Sequence, residues 1–351
     1  MMKYREISIK KETSIIEALR VMDDVHHKML LVFDGSHFYS IVTIGELQRA
    51  IIANYAMDTP IWKIIDIEDK EYAYQVDTKD EIGKKILKIR AEFMPILNSA
   101  GDLVEVAFWE DFFSTDKRES NLQKVNLPVV IMAGGKGTRL KPLTNVLPKP
   151  LIPVGDKTIL EEIMEQFEEM GCQTFYMSVN YKSDMIRFYL DQLEHKYNIS
   201  FFQEDKPLGT IGSVSLLKNK IKTPFFVSNC DIIIDQDYRE VYEYHKKNQN
   251  DITIVTAVKS FKIPYGVIET AENGLMVRLT EKPEITYKIN TGVYLLQSEL
   301  IKEIPEAQFF HITDLMEKVK SQGGKVGCFP VSEKAWKDMG DWNEYLKIIG
   351  Q

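Results

Sequence analysis

Cysteine is scarce in this chain of 351 residues, and Cys172, Cys230 and Cys328 stand far apart with no CxxC pair among them. That spacing excludes a disulfide framework and a cysteine-based zinc site. The scarcity fits a reducing, cytoplasmic setting. The six histidines show no metal-ligand spacing either: His26 and His27 are adjacent and read as a helix end, and His311, before an amphipathic helix, reads as a cap or a packing residue. No apolar run is long enough to cross a bilayer, and Met1 to Lys10 carry no signal-peptide core. Positive charge is also in short supply. Lys and Arg number 44 against 52 Asp and Glu, a net charge of -8. An acidic surface repels nucleic acid and anionic lipid, so an anionic ligand has to be met by local positive charge. The length itself suggests two domains.

The first third contains an internal repeat. Ser14-Ile15-Ile16-Glu17 and Thr78-Lys79-Asp80-Glu81 both read as helix capping boxes. After each predicted helix comes a short apolar strand, Met29 to Phe33 or Phe93 to Leu97, and a turn at Asp34-Gly35-Ser36 or Asn98 to Asp102. A second strand and short helix follow, within 39–53 and 103–113. Box and strand keep the same separation in both copies, which favours duplication over two unrelated hairpins. The arrangement resembles a tandem pair of CBS motifs, the Bateman module, over about the first 115 residues. In that family a Thr and an Asp after the second strand hold the ribose of an adenine nucleotide. Here Thr43 is followed by Glu46 rather than Asp, and Asp111 is preceded by Phe108 rather than Thr. Neither copy keeps both residues, so pairing between chains, as a homodimer, is favoured over adenine-nucleotide sensing.

A polar, charged stretch at 116–127 reads as a linker. Beyond it, strands (129–133, 174–179, 199–203, 224–229, 251–258, 292–297) alternate with helices (158–170, 183–195, 212–218, 237–248, 311–321). That alternation predicts a doubly wound, mostly parallel, Rossmann-like α/β sheet over 128–351. Ligands of such sheets bind beyond the carboxyl ends of the strands.

The first of these strands runs into Gly134-Gly135-Lys136-Gly137-Thr138-Arg139. Three glycines in four positions allow close backbone approach, and the N–H groups can cradle phosphate. Arg139 adds a planar donor for the same anion. The spacing fits neither GxxxxGK[ST] nor GxGxxG. Alone, the loop says only that phosphate is bound. Lys149 follows between Pro148 and Pro150, which stiffen its segment. Asp231 ends the apolar strand Phe225 to Asn229, and Asp338 precedes a late Gly340; carboxylates there could hold Mg²⁺. Asp341-Trp342-Asn343-Glu344 reads as a helix cap.

The run AGGKGTRL, a spacer and LPKPLIPVGDKTIL resembles the signature of the sugar-1-phosphate nucleotidyltransferases, from about Leu127 to the end. The resemblance implies a GT-A-like fold and the transfer of a nucleoside monophosphate to a sugar 1-phosphate with release of pyrophosphate. It implies metal ligation by Asp231 and Asp338, catalytic roles for Arg139, Lys149 and Lys282, and nucleotide contacts from Gly134, Gly135, Lys136, Gly137, Thr138, Glu204, Pro207, Gly209, Thr210 and Asn229. The sugar contacts it implies are Gly266, Glu281, Asn290 and Thr291. The run Pro207-Leu208-Gly209-Thr210 is similar to that of guanylyltransferases acting on mannose or heptose phosphates, which points to GTP. The fusion to a CBS-like pair is similar to guanylyltransferases that use glucosamine 1-phosphate. UTP or CTP, and two other classes, stay as alternatives: a glycosyltransferase, for which Asp235-Gln236-Asp237 supplies a literal DxD, and a non-catalytic nucleotide sensor.

Overall fold

A computed structural model describes residues 4–113, 124–193, 197–204 and 206–349. Most of the expected linker and Asp205 lie outside the described residues. The chain divides into two compact units, 1–122 and 123–351.

The first unit contains the repeat as folded structure. Strand β1 (Ser8–Lys10), helix α1 (Ile15–Val25), β2 (Met29–Asp34), β3 (His37–Thr43) and α2 (Ile44–Ile52) form one copy. In the other, β4 (Ala73–Tyr74), α3 (Lys79–Ile89), β5 (Phe93–Leu97) and β6 (Leu103–Phe108) run in the same order. Each copy is a three-stranded sheet, β1-β2-β3 or β4-β5-β6, with the first pair parallel and the second antiparallel. Both expected capping boxes are made, at Ser14 with Glu17 and at Thr78 with Glu81. Both helices end on a left-handed residue, His26 or Arg90. One expectation needs correction. The helix expected after β6 is a single 3₁₀ turn, Trp109–Asp111, with Trp109 buried in the core formed by Ile82, Ile86, Met94 and Ile96.

The second unit begins with β7 (Val129–Met132), then a short helix α4 (Leu143–Val146) and the small strands β8 (Pro153–Val154) and β9 (Lys157–Thr158). Helix α5 (Ile159–Met170) starts on a Thr158–Glu161 capping box and stops at Gly171, φ +111°. Then come β10 (Thr174–Val179), α6 (Ser183–Gln192), β11 (Asn198–Gln203), β12 (Phe225–Asn229), β13 (Ile232–Ile234) and α7 (Tyr238–Asn248). The chain closes with β14 (Ile252–Lys262), β15 (Val267–Thr270), β16 (Met276–Thr280), β17 (Glu284–Leu296), α8 (Ile312–Ser321), β18 (Val326–Val331), β19 (Trp336–Asp338) and α9 (Trp342–Ile349).

Seven strands form the central sheet in the order β11-β10-β7-β12-β17-β14-β18. Only β17 runs against its neighbours, so the sheet is mostly parallel as expected. Both faces are covered. Phe225 packs with Val214, Leu217, Leu315 and Val319 on one side. Its neighbour Phe226 turns to the other side, where the Phe167 ring of α5 stacks on Tyr238 of α7 at 4.4 Å. A buried aromatic of this kind contributes roughly 1.5–3 kcal/mol.

Three details differ from expectation. The helix expected at 212–218 is a 3₁₀ segment, Gly212–Leu217. Gly212 is pressed so closely on the backbone of Gln308 that a Cβ would meet its carbonyl at 2.7 Å. The strand expected at 292–297 is the end of the longer, antiparallel β17. Strand β18 and the β15–β16 hairpin carried no expectation. Among the described residues no helix is long and apolar enough to cross a membrane.

Candidate active site

Two adjacent strands deliver the centre. β7 and β12 pair in parallel with Met132 opposite Asn229, so the chain leaves both at one edge of the sheet. From β7 it enters Gly134 to Arg139, and from β12 it enters Cys230 and Asp231. With Met132, Lys149, Asn229 and Gly340, all of these residues except Gly134 and Lys136 line a cleft of about 230 Å³. A larger hollow, about 460 Å³, lies around His245 and Gln297 at the opposite end of the strands. Its histidine is already satisfied there, by Thr253 at 2.8 Å and Gln297 at 3.0 Å, and so is a poor centre for chemistry.

The glycine loop is rich in free donors. The amide of Ala133 still bonds the Ser178 carbonyl at 2.8 Å. From Gly134 through Arg139 no amide finds an acceptor among the described residues, and bonding resumes only at Leu140, to the Gly137 carbonyl. Unpaired amides at a strand end form a ready anion cradle. Gly137 has φ +60°, and a Cβ there would stand 2.8 Å from the Thr144 methyl and 3.1 Å from Lys149. Its carbonyl accepts the Thr144 hydroxyl at 2.9 Å. Gly135, Lys136, Thr138 and Arg139 are exposed along the loop, and Arg139 has no ion-pair partner among the described residues.

The segment carrying Lys149 is clamped on two sides. The Tyr181 hydroxyl and Lys182 ammonium donate to the carbonyls of Thr144, Asn145 and Val146. The Trp342 indole donates to the Lys141 carbonyl at 2.7 Å, and the Tyr345 hydroxyl to that of Pro153 at 3.0 Å. So held, Lys149 is buried and its ammonium pairs with Asp231, also buried. Separating such a pair inside the protein would be costly, because each charge has lost its water.

Asp338 arrives by strand pairing. β13 and β19 are antiparallel with Ile232 opposite Asp338, and the Met339 amide donates to the Asp231 carbonyl at 2.8 Å. A Cβ on Gly340 would lie 2.6 Å from Asp231 Oδ2, 2.7 Å from Lys149 Nζ and 2.8 Å from Asp338 Oδ1. Two carboxylates and one ammonium therefore converge on one point, and only glycine leaves room for them. Asp338 accepts the Gly340 amide at 2.8 Å and pairs with no cation among the described residues. Among those residues no group of three or more His, Cys, Asp and Glu could hold a metal; Asp231 and Asp338 are the two carboxylates that meet at Gly340. Its hard oxygens fit Mg²⁺, which takes one or two protein carboxylates and completes its shell with phosphate and water. Cys230 is buried beside them; burial first, and then the Asp231 charge, push its thiol up to about 12.

The residues expected at the base sit on the far side of the loop. Glu204 is buried and accepts the Ser178 hydroxyl at 2.8 Å and the Leu208 amide at 3.0 Å. It thereby fastens the following segment. Pro207 is exposed. Gly209, φ +82°, lies against the Phe310 backbone, where a Cβ would meet the carbonyl at 2.5 Å. The Thr210 hydroxyl accepts the Ile312 amide at 2.9 Å. These bonds tie the segment to the start of α8, where His311 holds the N-cap position and its amide donates to the Asp314 carboxylate at 2.8 Å. Asn229 lies against Gly292, φ +91°.

The residues expected at the sugar lie further along β14 to β17. The Glu281 carboxylate is near Gly266, where a Cβ would stand 2.9 Å from it. Lys282 is exposed with φ +44°. Asn290 accepts the Gly292 amide at 3.1 Å, and the buried Thr291 hydroxyl donates to the Val255 carbonyl at 2.8 Å. The DxD alternative loses its basis: Asp237 caps α7 through the Arg239 amide and pairs with the Arg239 guanidinium at 2.7 Å. Gly340, Tyr181, Lys182 and Trp342 carried no functional expectation. Only the glycine of Gly340 gave a signal that could have been read.

A family model described as nucleotidyl transferase matches residues 128–351, and the chain belongs to that family. Among curated proteins it is similar to the mannose-1-phosphate guanyltransferase of Yarrowia lipolytica, 38% identical over 180 residues that make up 49% of this chain and 50% of that protein. It is 33% identical to the mannose-1-phosphate guanyltransferase of Aspergillus fumigatus over 229 residues, 63% of this chain and 62% of the relative. The match thus spans half to somewhat under two thirds of the length of these relatives. Among solved structures it is similar to HddC from Yersinia pseudotuberculosis, with a TM-score of 0.51 and 27% identity over 64% of this chain and 98% of that one.

Proposed function

We propose that this cleft transfers a nucleoside monophosphate, GMP from GTP, to a sugar 1-phosphate, yielding a nucleotide sugar and pyrophosphate. The observation that carries the reading is the convergence of Lys149, Asp231 and Asp338 on Gly340 beside a loop of unpaired amides. The attacking phosphate oxygen is already ionised near neutral pH, so no general base is needed. It forms a bond to the α-phosphorus as the bond to the β-phosphate bridging oxygen breaks. The barrier is mainly charge: a dianion meeting a unit charge at ~4 Å is repelled by roughly 8 kcal/mol at an effective dielectric near 20. Catalysis is therefore electrostatic and positional. The loop amides and Arg139 hold the departing phosphates. Lys149 has three N–H donors, and those not engaged by Asp231 face the α-phosphate. Bound at Asp231 and Asp338, Mg²⁺ would supply charge neutralisation at the phosphates. Lys282 holds the incoming sugar phosphate, with Glu281, Gly266, Asn290 and Thr291 shaping the sugar side.

GTP and mannose 1-phosphate are the favoured pair, supported by the relatives' names and by the Pro207 to Thr210 run. Glucosamine 1-phosphate extends the same reading, on the strength of the N-terminal repeat. We read that repeat as a CBS-like pair, in a cytoplasmic enzyme. Adenine-nucleotide binding is disfavoured by one observation: the Thr43 hydroxyl and Glu46 carboxylate close a capping box, and Glu46 also pairs with Lys70 at 2.6 Å in the interior. The test is a pyrophosphate-release screen of GTP, ATP, UTP and CTP against mannose, glucose, heptose and glucosamine 1-phosphates. Release with GTP and one of these sugars supports the reading, and turnover only with UTP or CTP overturns the choice of base.

A further inference from the structure

β14 and β17 outrun their neighbours in the sheet. β18 stops pairing β14 at Ala257, and β12 reaches β17 only from Val293 onward. Beyond those points Phe261 lies opposite Ile285, and the Phe261 and Tyr287 rings come within 6.3 Å. The β15–β16 hairpin is mounted on this two-stranded arm. From Lys259 to Asn290 no residue is fully buried. Tyr265, Ile268, Leu275, Met276, Val277 and Leu279 each leave more than half their surface in water. A two-stranded hairpin with no layer against it is marginal by itself, and apolar exposure on this scale marks an interaction surface.

Charge and area indicate what covers it. The whole chain carries -8, but Lys259, Lys262, Arg278, Lys282 and Lys288 stand against Glu269, Glu272, Glu281 and Glu284 on the arm. Its local charge is thus +1, of mixed sign, so an identical arm meets it with only weak net repulsion, unlike the acidic remainder. Phe261, Ile285 and Tyr287 on the same arm are 45%, 38% and 56% exposed; with them, the exposed parts of the apolar side chains present roughly 800–1,000 Å², taking about 150–200 Å² for a whole large one, and a stable interface needs about 800 Å² per partner. β15 and β16 pair only with each other, so both outer edges keep unpaired backbone groups. β16 is the more apolar edge, with Met276, Val277 and Leu279 and no proline. Such an edge is a template for another strand.

We propose that the arm is where two copies of this chain pair, β16 against β16 about a two-fold axis. Antiparallel pairing of a strand with its own copy is self-complementary, which closed dimers require. The arm also carries Gly266, Glu281, Lys282 and Asn290, so pairing braces the sugar side. That consequence rests on the proposed function; the pairing does not. Sedimentation equilibrium of the full chain tests it, and its readout is mass rather than catalysis. The wild type is expected to be a dimer, and Val277→Glu to weaken dimerisation roughly thirtyfold or more, as for a central hot spot. Hydrogen exchange of the wild-type amides at 276–280 should slow as concentration is raised through the dimerisation range. A monomer at every concentration, or amides at 276–280 that exchange equally fast in monomer and dimer, overturns the proposal.

Discussion

The turn at Thr43–Glu46 and the loop at Gly134–Arg139 both follow a strand, and both carry groups able to hold a nucleotide. In the first, the chain has used them: the Thr43 hydroxyl and the Glu46 carboxylate bond each other's backbone, and Glu46 also takes the Asp66 amide and the Lys70 ammonium. In the second, the amides and Arg139 bond nothing in the described chain, and Asp338 pairs with no cation. Residue type alone does not separate the two. A group whose bonding capacity is spent inside the protein stabilises the fold, and one left unspent at a strand end is available to a ligand.

The sharpest way to break that contrast is at Asp338, the unspent carboxylate. Asp338→Asn should unfold at the wild-type temperature yet lose turnover by about a thousandfold or more, since it removes one of the two carboxylates that would hold Mg²⁺ at the phosphates. Steady-state pyrophosphate release together with thermal melting reads both. Next is Gly137→Ala, which places a Cβ at φ +60° and against Thr144 and Lys149. Strain of about 1–3 kcal/mol should appear in stability and shift Lys149, lowering kcat/KM for the nucleotide by roughly ten- to a hundredfold.

Glu204 tests the other side of the comparison. With both oxygens spent on Ser178 and Leu208, Glu204→Gln should cost roughly 1–3 kcal/mol in stability. A rise in nucleotide KM larger than the lost stability explains would return Glu204 to direct contact with the base. Thr43→Ala should cost the first unit about 1 kcal/mol, the usual loss on removing an N-cap. Turnover should be unchanged with or without added AMP or ATP, and an adenine-nucleotide response abolished by this variant would show that the turn is a ligand site after all.

The smallest effect concerns His245, buried and satisfied by Thr253 and Gln297. Burial lowers its pKa from 6.5 to about 4, against a weak upward pull from Asp251. The folded state therefore refuses a proton that the unfolded state accepts between those values. This contribution to stability is full above pH 6.5 and is lost as pH falls towards 4. Chemical denaturation across that window should show a shallower decline in His245→Gln than in the wild type.

The elements of the candidate site were legible because their signals are local. The glycine run directly follows an apolar strand, Lys149 stands between prolines, Asp231 ends a strand, and capping boxes fix α1, α3 and α5 within four residues each. What was not legible depends on distant contacts or on exceptions to propensity. β18 contains Gly327 and Pro330, which argue against a strand, but it lies at the sheet edge, where proline is tolerated. Gly212 reads as a helix start, yet it opens a 3₁₀ segment pressed against the distant Gln308 backbone. The clamps from Tyr181, Lys182 and Trp342 span large sequence separations, and nothing in those residues announces them. Glu204 was legible as a candidate contact to the base, but not that its oxygens would already be occupied by Ser178 and Leu208.

The most direct test of the account is single-turnover pyrophosphate release from GTP and mannose 1-phosphate with Mg²⁺, comparing the wild type with Asp231→Asn. The expected result is a folded variant, its melting temperature lowered because Lys149 is left buried without its partner, and release slower by about three or more orders of magnitude. Release by Asp231→Asn at near the wild-type rate would contradict it.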